Sequence, residues 1–114
     1  MQITPIGKYM YLVCFFDLPT TTKRDRKRYT IFRRRLLQAG FVMMQYSVYI
    51  AQIRGTHQVK DRIEKVKNFA PDNGEIRLLT ITDRQFDNIE NIISYEYSKS
   101  DSSIERSTQL IMEF

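Results

Sequence analysis

One cysteine and one histidine occur in this chain of 114 residues, and the isolation of each removes a class of chemistry. Cys14 lies inside the apolar run YLVCFF, where it has no partner for an internal disulfide and no companion ligands at zinc spacing. It reads as a core residue. His57 has no second His, Cys or acid at ligand spacing, so it is placed at a helix start or on the surface and assigned no function. No apolar run approaches the roughly 20 residues that span a bilayer. The opening stretch MQITPIGKY lacks the long apolar region and small-residue cleavage site of a secretory signal. A cytoplasmic protein with no membrane association is expected, and at this length a single domain with one layered core.

What the chain has in abundance is positive charge, and it is concentrated. The hydrophobic fraction of 42% and charged fraction of 27% are those of an ordinary soluble globule. A net charge of +5, spread evenly, would say little. Eight of the eighteen Lys and Arg residues, however, fall within residues 23–35: Lys23, Arg24, Arg26, Lys27, Arg28, Arg33, Arg34 and Arg35. Asp25 is the one acid among them.

Residues 9–16 form a nearly continuous apolar run that suits a strand covered on both faces. Asp17-Leu18-Pro19 ends it, because proline cannot continue a buried strand. Thr20, Thr21 and Thr22 offer hydroxyls to cap a helix starting near Thr22. Tyr29, Phe32, Leu36 and Ala39 recur at helical spacing as one apolar stripe, and Gly40 is a left-handed stop. Around that stripe, Lys23, Lys27 and Arg34 point away from the core, Arg24, Arg28 and Arg35 run down one flank, and Arg26 and Arg33 down the other. Residues 41–53 alternate as a strand with a break near Gln45. Val59, Ile63, Val66 and Ala70 mark a second helix over 56–69, ended by the turn Pro71-Asp72-Asn73-Gly74. Residues 75–82 read as a strand, with a weaker short strand at 89–93, giving the order β-α-β-α-β-β. Residues 94–108 read as a polar linker before QLIMEF, a terminal strand.

Two such helices cannot cover both faces of a four-stranded sheet, so a second subunit is expected on the remaining face. A terminal strand on a tether suits addition to a neighbour's sheet edge, and a twofold homodimer follows.

Asp17 is the most informative single residue. An acid closing an apolar strand must reach solvent, a cation or a metal; the alternative is an Asx turn ahead of Pro19. One carboxylate is a thin shell for Mg²⁺, and a twofold dimer would supply a second Asp17. A metal held there would polarise a phosphodiester and activate water without a histidine base. The basic helix reads as a phosphate-binding surface, against the alternative of a merely solvated face. Its arginines suit bidentate phosphate contacts, and no base-reading motif accompanies them, so recognition of backbone and shape is expected. Tyr46, Tyr49, Tyr95 and Tyr97 are candidates to stack on bases, although strand spacing favours core positions for Tyr46 and Tyr49. Gln45 and Ser47 either line the cleft of Asp17 or bridge strands.

Taken together, FFDLP at the end of the first strand, the Lys/Arg-rich helix ending at Gly40, QYSVYIAQ at 45–52, ITDRQF at 81–86 and the closing QLIMEF resemble the CRISPR-associated Cas-two family. The FDLPTTTK stretch looks like the branch found with type II systems. The resemblance implies an α+β, ferredoxin-like fold, with an antiparallel sheet, two helices on one face and a C-terminal strand added to the dimer partner. The corresponding divisions are an N-terminal extension at 1–9, the ferredoxin-like domain at 10–93, and a linker with dimerisation strand at 94–114. It also implies partnership with the Cas-one integrase in capturing new spacers. Finally, it implies a metal-dependent endonuclease, using Mg²⁺ or Mn²⁺ on RNA or DNA, with Asp17 as catalytic and metal-binding residue. Met43 and Met44 stand where some relatives carry a basic side chain, a departure that counts against any cleavage role tied to one.

Two readings stay open at this point. One is the endonuclease with paired Asp17 residues. The other is a non-catalytic scaffold for duplex DNA, in which basic residues of the first helix (Lys23, Arg24, Lys27, Arg28, Arg34, Arg35) hold the backbone and Asp17 is structural. A ferredoxin-like toxin or small-ligand regulator is a third class, and it would require a compact apolar pocket with convergent polar groups.

Overall fold

The computed structural model describes residues 9–93, and the expected linker and terminal strand at 94–114 lie outside them. Strand β1 (Tyr9–Asp17) leads into helix α1 (Lys23–Gln38). A hairpin of β2 (Val42–Gln45) and β3 (Val48–Arg54) follows, then α2 (Gly55–Phe69), β4 (Glu75–Thr82) and a short α3 (Asp83–Asp87).

The ends of α1 are set by local chemistry. The Thr22 hydroxyl accepts from Asp25 N–H at 3.0 Å, and the Asp25 carboxylate accepts from Thr22 N–H at 3.2 Å. This reciprocal pair satisfies two orphan donors, and it explains why one acid interrupts the basic run. At the other end Gly40 takes φ +95°, which lets Gly40 N–H reach Leu37 O at 3.1 Å and Phe41 N–H reach Leu36 O at 3.0 Å. Arg62 of α2 donates to the freed Ala39 carbonyl at 2.6 Å, joining the two helices.

The four strands are ordered β2-β3-β1-β4, and every pair is antiparallel. Alternation sends Leu12, Cys14 and Phe16 of β1 and Tyr49, Ala51 and Ile53 of β3 to one face. There they form the core with Phe32 and Leu36 of α1 and Val59 and Val66 of α2. Phe16 is its aromatic centre, with ring centroids 5.1 Å from Phe32, 5.5 Å from Tyr49 and 5.9 Å from Tyr29. Burial pushes the Cys14 thiol up to about 12, in keeping with its place in this core. Two helices on one face of this strand order make the fold ferredoxin-like.

Two sequence expectations are corrected. Residues 41–53 are a hairpin, because Ser47 adopts φ +64° and turns the chain between Gln45 and Val48. Residues 89–93 form no strand. Thr82 and Gln85 make a second capping box, with bonds of 3.1 and 2.9 Å, that diverts the chain into α3 directly after β4. Ile92 and Ile93 beyond it are exposed.

The second face of the sheet carries Tyr11, Val13, Phe15 and Asp17 of β1 with their cross-strand partners. α3 covers only the Tyr11 end, where the Phe86 ring stacks on Tyr11 at 4.1 Å and 10°. Phe15, Val42 and Leu79 stay 40, 47 and 50% exposed on the remainder.

Candidate nucleic-acid site around Asp17

Asp17 is the last residue of β1 and is exposed on the uncovered sheet face. Among the described residues its carboxylate has no hydrogen bond or ion pair. Its cross-strand partner is Glu75, the first residue of β4, which puts two carboxylates side by side at the rim of the sheet. Glu75 is bridged by Arg77 at 3.0 Å on the same face, which offsets the repulsion between the two acids. Sequence reading missed Glu75 and Arg77, because only strand register brings them beside Asp17.

The backbone here is tightly seated. Gly74, at φ +102°, packs so closely that a Cβ in its place would lie 2.8 Å from the Asp17 carbonyl oxygen and 2.6 Å from Leu18 Cδ2. Phe16 N–H donates to Ser47 O at 3.1 Å, tying the β2–β3 turn to the residue before Asp17. The ends of β1 and α2 and the starts of α1 and β4 therefore share one pole with this turn.

No group of three or more His, Cys, Asp or Glu side chains suited to a metal occurs among the described residues. Mg²⁺ sites need only one or two carboxylates, with water and substrate oxygens completing the shell. Asp17, exposed and unengaged with Glu75 beside it, fits that modest requirement.

The basic helix lies on the other side of the molecule. α1 packs on the helix-covered face through Phe32 and Leu36, so its charged surface points away from the sheet face that carries Asp17. Lys23, Arg24, Arg26 and Lys27 line one shallow concavity near the Asp17 pole. Arg34 and Arg35 sit about 10 to 18 Å further along the helix, at about 1.5 Å per residue. Lys23, Arg24, Lys27, Arg34 and Arg35 form no ion pair among the described residues. Arg28 faces Asp72 at 3.8 Å, an exposed pair of little weight. Arg26 donates to the Thr20 and Thr21 carbonyls at 3.2 and 3.1 Å and so holds the loop ahead of the helix.

The two strand tyrosines divide. Tyr49 is 1% exposed, as the spacing predicts, whereas Tyr46 is 66% exposed because it occupies the hairpin turn. The Tyr29 phenol is pushed up to about 12, chiefly by burial and then by its hydrogen bond to Tyr46, while a hydrogen bond from Ser47 acts the other way. His57 is exposed near the start of α2.

A family model described as CRISPR associated protein Cas2 matches residues 10–89. The chain is 44% identical over 80 residues to the CRISPR-associated endoribonuclease Cas2 of Parvibaculum lavamentivorans, covering 70% of this chain and 79% of that protein. It is 42% identical over 77 residues to the protein of the same name from Acidovorax ebreus, covering 68% and 76%. Against its namesake in Campylobacter jejuni it is 38% identical over 86 residues, which are 75% of this chain and 60% of that relative's length. The chain therefore belongs to the Cas2 family of CRISPR-associated proteins.

Proposed function

We propose that this protein is a metal-dependent endonuclease that cleaves phosphodiester bonds of RNA or DNA and acts with the Cas-one integrase in spacer acquisition in the cytoplasm. The observation that carries the catalytic reading is Asp17, an unengaged carboxylate on a rigid strand end beside Glu75. The relatives' printed name, endoribonuclease, supports the same reading. Asp17 and Glu75 would hold Mg²⁺ or Mn²⁺. When bound, the ion supplies Lewis-acid polarisation of the phosphate and a water of lowered pKa. Gly74 and the Phe16–Ser47 bond keep Asp17 in place, and Arg77 sets a cation on the same face, suited to charge developing on a phosphate.

The exposed Phe15, Val42 and Leu79 support a twofold homodimer through this sheet face, with Asp17 at its rim and its copy supplying a second carboxylate. A second reading, a non-catalytic scaffold for duplex DNA, is favoured by one specific observation. The basic surface of α1 faces away from Asp17, so a backbone held by Lys23, Arg24, Lys27, Arg28, Arg34 and Arg35 need not reach the acid.

Cleavage of RNA, single-stranded DNA and duplex DNA, with and without Mg²⁺, separates the readings when Asp17→Asn is run alongside. Loss of metal-dependent cleavage with binding and spacer capture intact would assign catalysis to Asp17 and the cellular role to the scaffold. Equal cleavage by the variant would refute the nuclease assignment.

A further inference from the structure

Tyr46 is a large aromatic side chain held in the open at the pole that also carries Asp17. It is 66% exposed in a short hairpin whose pairing skips a residue between Met43 and Gln45 and closes at Gln45 and Val48. Its position is not loose. Ser47 at φ +64° fixes the turn, and the Ser47 carbonyl is bonded to Phe16 N–H at 3.1 Å. The Tyr46 ring lies nearly parallel to Tyr29, with centroids 6.5 Å apart and planes inclined by 26°, and Tyr29 packs in turn on Phe16. Tyr46 is not one of the buried core residues, and its contact with Tyr29 leaves most of the side chain open to solvent. An exposed, pre-oriented ring is the arrangement that stacks an unpaired base.

We infer that Tyr46 is a stacking platform for an unpaired nucleobase, positioning single-stranded RNA or DNA at the Asp17 pole. This rests on the proposed nuclease reading for its link to cleavage but not for the binding itself. Tyrosine has a π-face for any base, so the contact favours single strands over duplex without selecting sequence.

The test uses the full-length protein with single-stranded RNA and DNA oligonucleotides carrying 5-iodouracil. Irradiation crosslinks a base to the aromatic ring stacked on it, and mass spectrometry locates the adduct. The expected adduct is at Tyr46, in the wild type and equally in Asp17→Asn. Tyr46→Ala should raise KM about 5- to 150-fold, the range for removing one base–aromatic stack, with little change in kcat. Tyr46→Phe should stay near wild type, and the salt dependence of binding should keep its slope, because no charge is removed. The two oligonucleotides report whether the platform prefers RNA or DNA. An adduct elsewhere, or Tyr46→Ala behaving as wild type, overturns the inference. So does a shift of Tyr46→Ala from dimer to monomer in sedimentation velocity, which would make Tyr46 a subunit contact. Undiminished cleavage by Asp17→Asn with the adduct still at Tyr46 would refute the catalytic assignment and leave the platform standing. Absence of any single-strand binding overturns the platform, and the nuclease reading then stands or falls on cleavage of duplex DNA.

Discussion

Replacing Gly74 by alanine acts on Asp17 through the backbone, without touching its carboxylate. A Cβ at position 74 would lie 2.6 Å from Leu18 Cδ2, 3.2 Å from Leu18 Cα and 2.8 Å from the Asp17 carbonyl oxygen. The first contact can be relieved by a rotation of Leu18, but the other two are with backbone of the functional strand. The φ of +102° adds conformational strain of roughly 1–3 kcal/mol for any residue with a side chain. Gly55 is the internal control, because at φ +79° it carries strain of the same kind while a methyl group added there would meet nothing within 4 Å. Gly55→Ala should therefore cost about 1–2 kcal/mol, and Gly74→Ala about 3–5 kcal/mol with the displacement of residues 17 and 18 added. Roughly 4–8 °C of Tm per kcal/mol for a domain of this size makes the difference easy to resolve by thermal denaturation. Cleavage assayed well below the transition should fall by about 100-fold in Gly74→Ala if the Asp17 backbone moves by about 1 Å, and remain near wild type in Gly55→Ala. Equal stability losses in the two variants would refute the close-approach argument. A stable Gly74→Ala with full activity would show that Asp17 does not depend on this seating.

Thr22→Ala removes half of the capping box on α1 and should lower stability by about 1 kcal/mol, read by urea denaturation. Removing Lys23 and Arg24 together as glutamines should reduce the slope of log K against log salt on duplex DNA by about 0.9 for each phosphate no longer neutralised. Arg26→Gln should leave that slope nearly unchanged, since its guanidinium is engaged with the Thr20 and Thr21 carbonyls. The Cys14 thiol has an ordinary value of 9.0 and is raised to about 12 by burial. The unfolded chain thus loses this proton first, so its contribution to stability is whole below pH 9.0 and declines as pH rises towards about 12. Tyr29 acts in the same direction between 10.0 and about 12. Denaturation midpoints across roughly pH 8.5 to 10.5 in Cys14→Ala and wild type would expose the thiol's share, the variant showing the shallower decline.

Both ends of α1 were legible from sequence because the deciding groups are neighbours in the chain. Thr22 and Asp25 cap within one turn, and Gly40 accepts a positive φ that other residues resist. The hairpin was not legible in the same way. Its turn residue is Ser47 and not glycine, and hydrophobic alternation continues across it, so 41–53 reads as a strand with a break near Gln45, and the reversal shows only in the antiparallel pairing of β2 with β3. Tyr46 and Tyr49 show the consequence: the same spacing suggests the core for both, and only the turn between β2 and β3 turns one of them outward.

By itself, then, the sequence determined that a carboxylate closes an apolar strand at Asp17 and that a strongly basic helix follows it. Those features depend on residue type and short spacing. Tertiary structure decided where they stand relative to one another. Antiparallel register between distant segments brings Glu75 and Arg77 beside Asp17. Packing of α1 through Phe32 and Leu36 turns its cations to the opposite side of the sheet. The apolar stripe shows which face of α1 is buried, but which strands pair, and which side of the sheet that face covers, is set by contacts between segments distant in the chain.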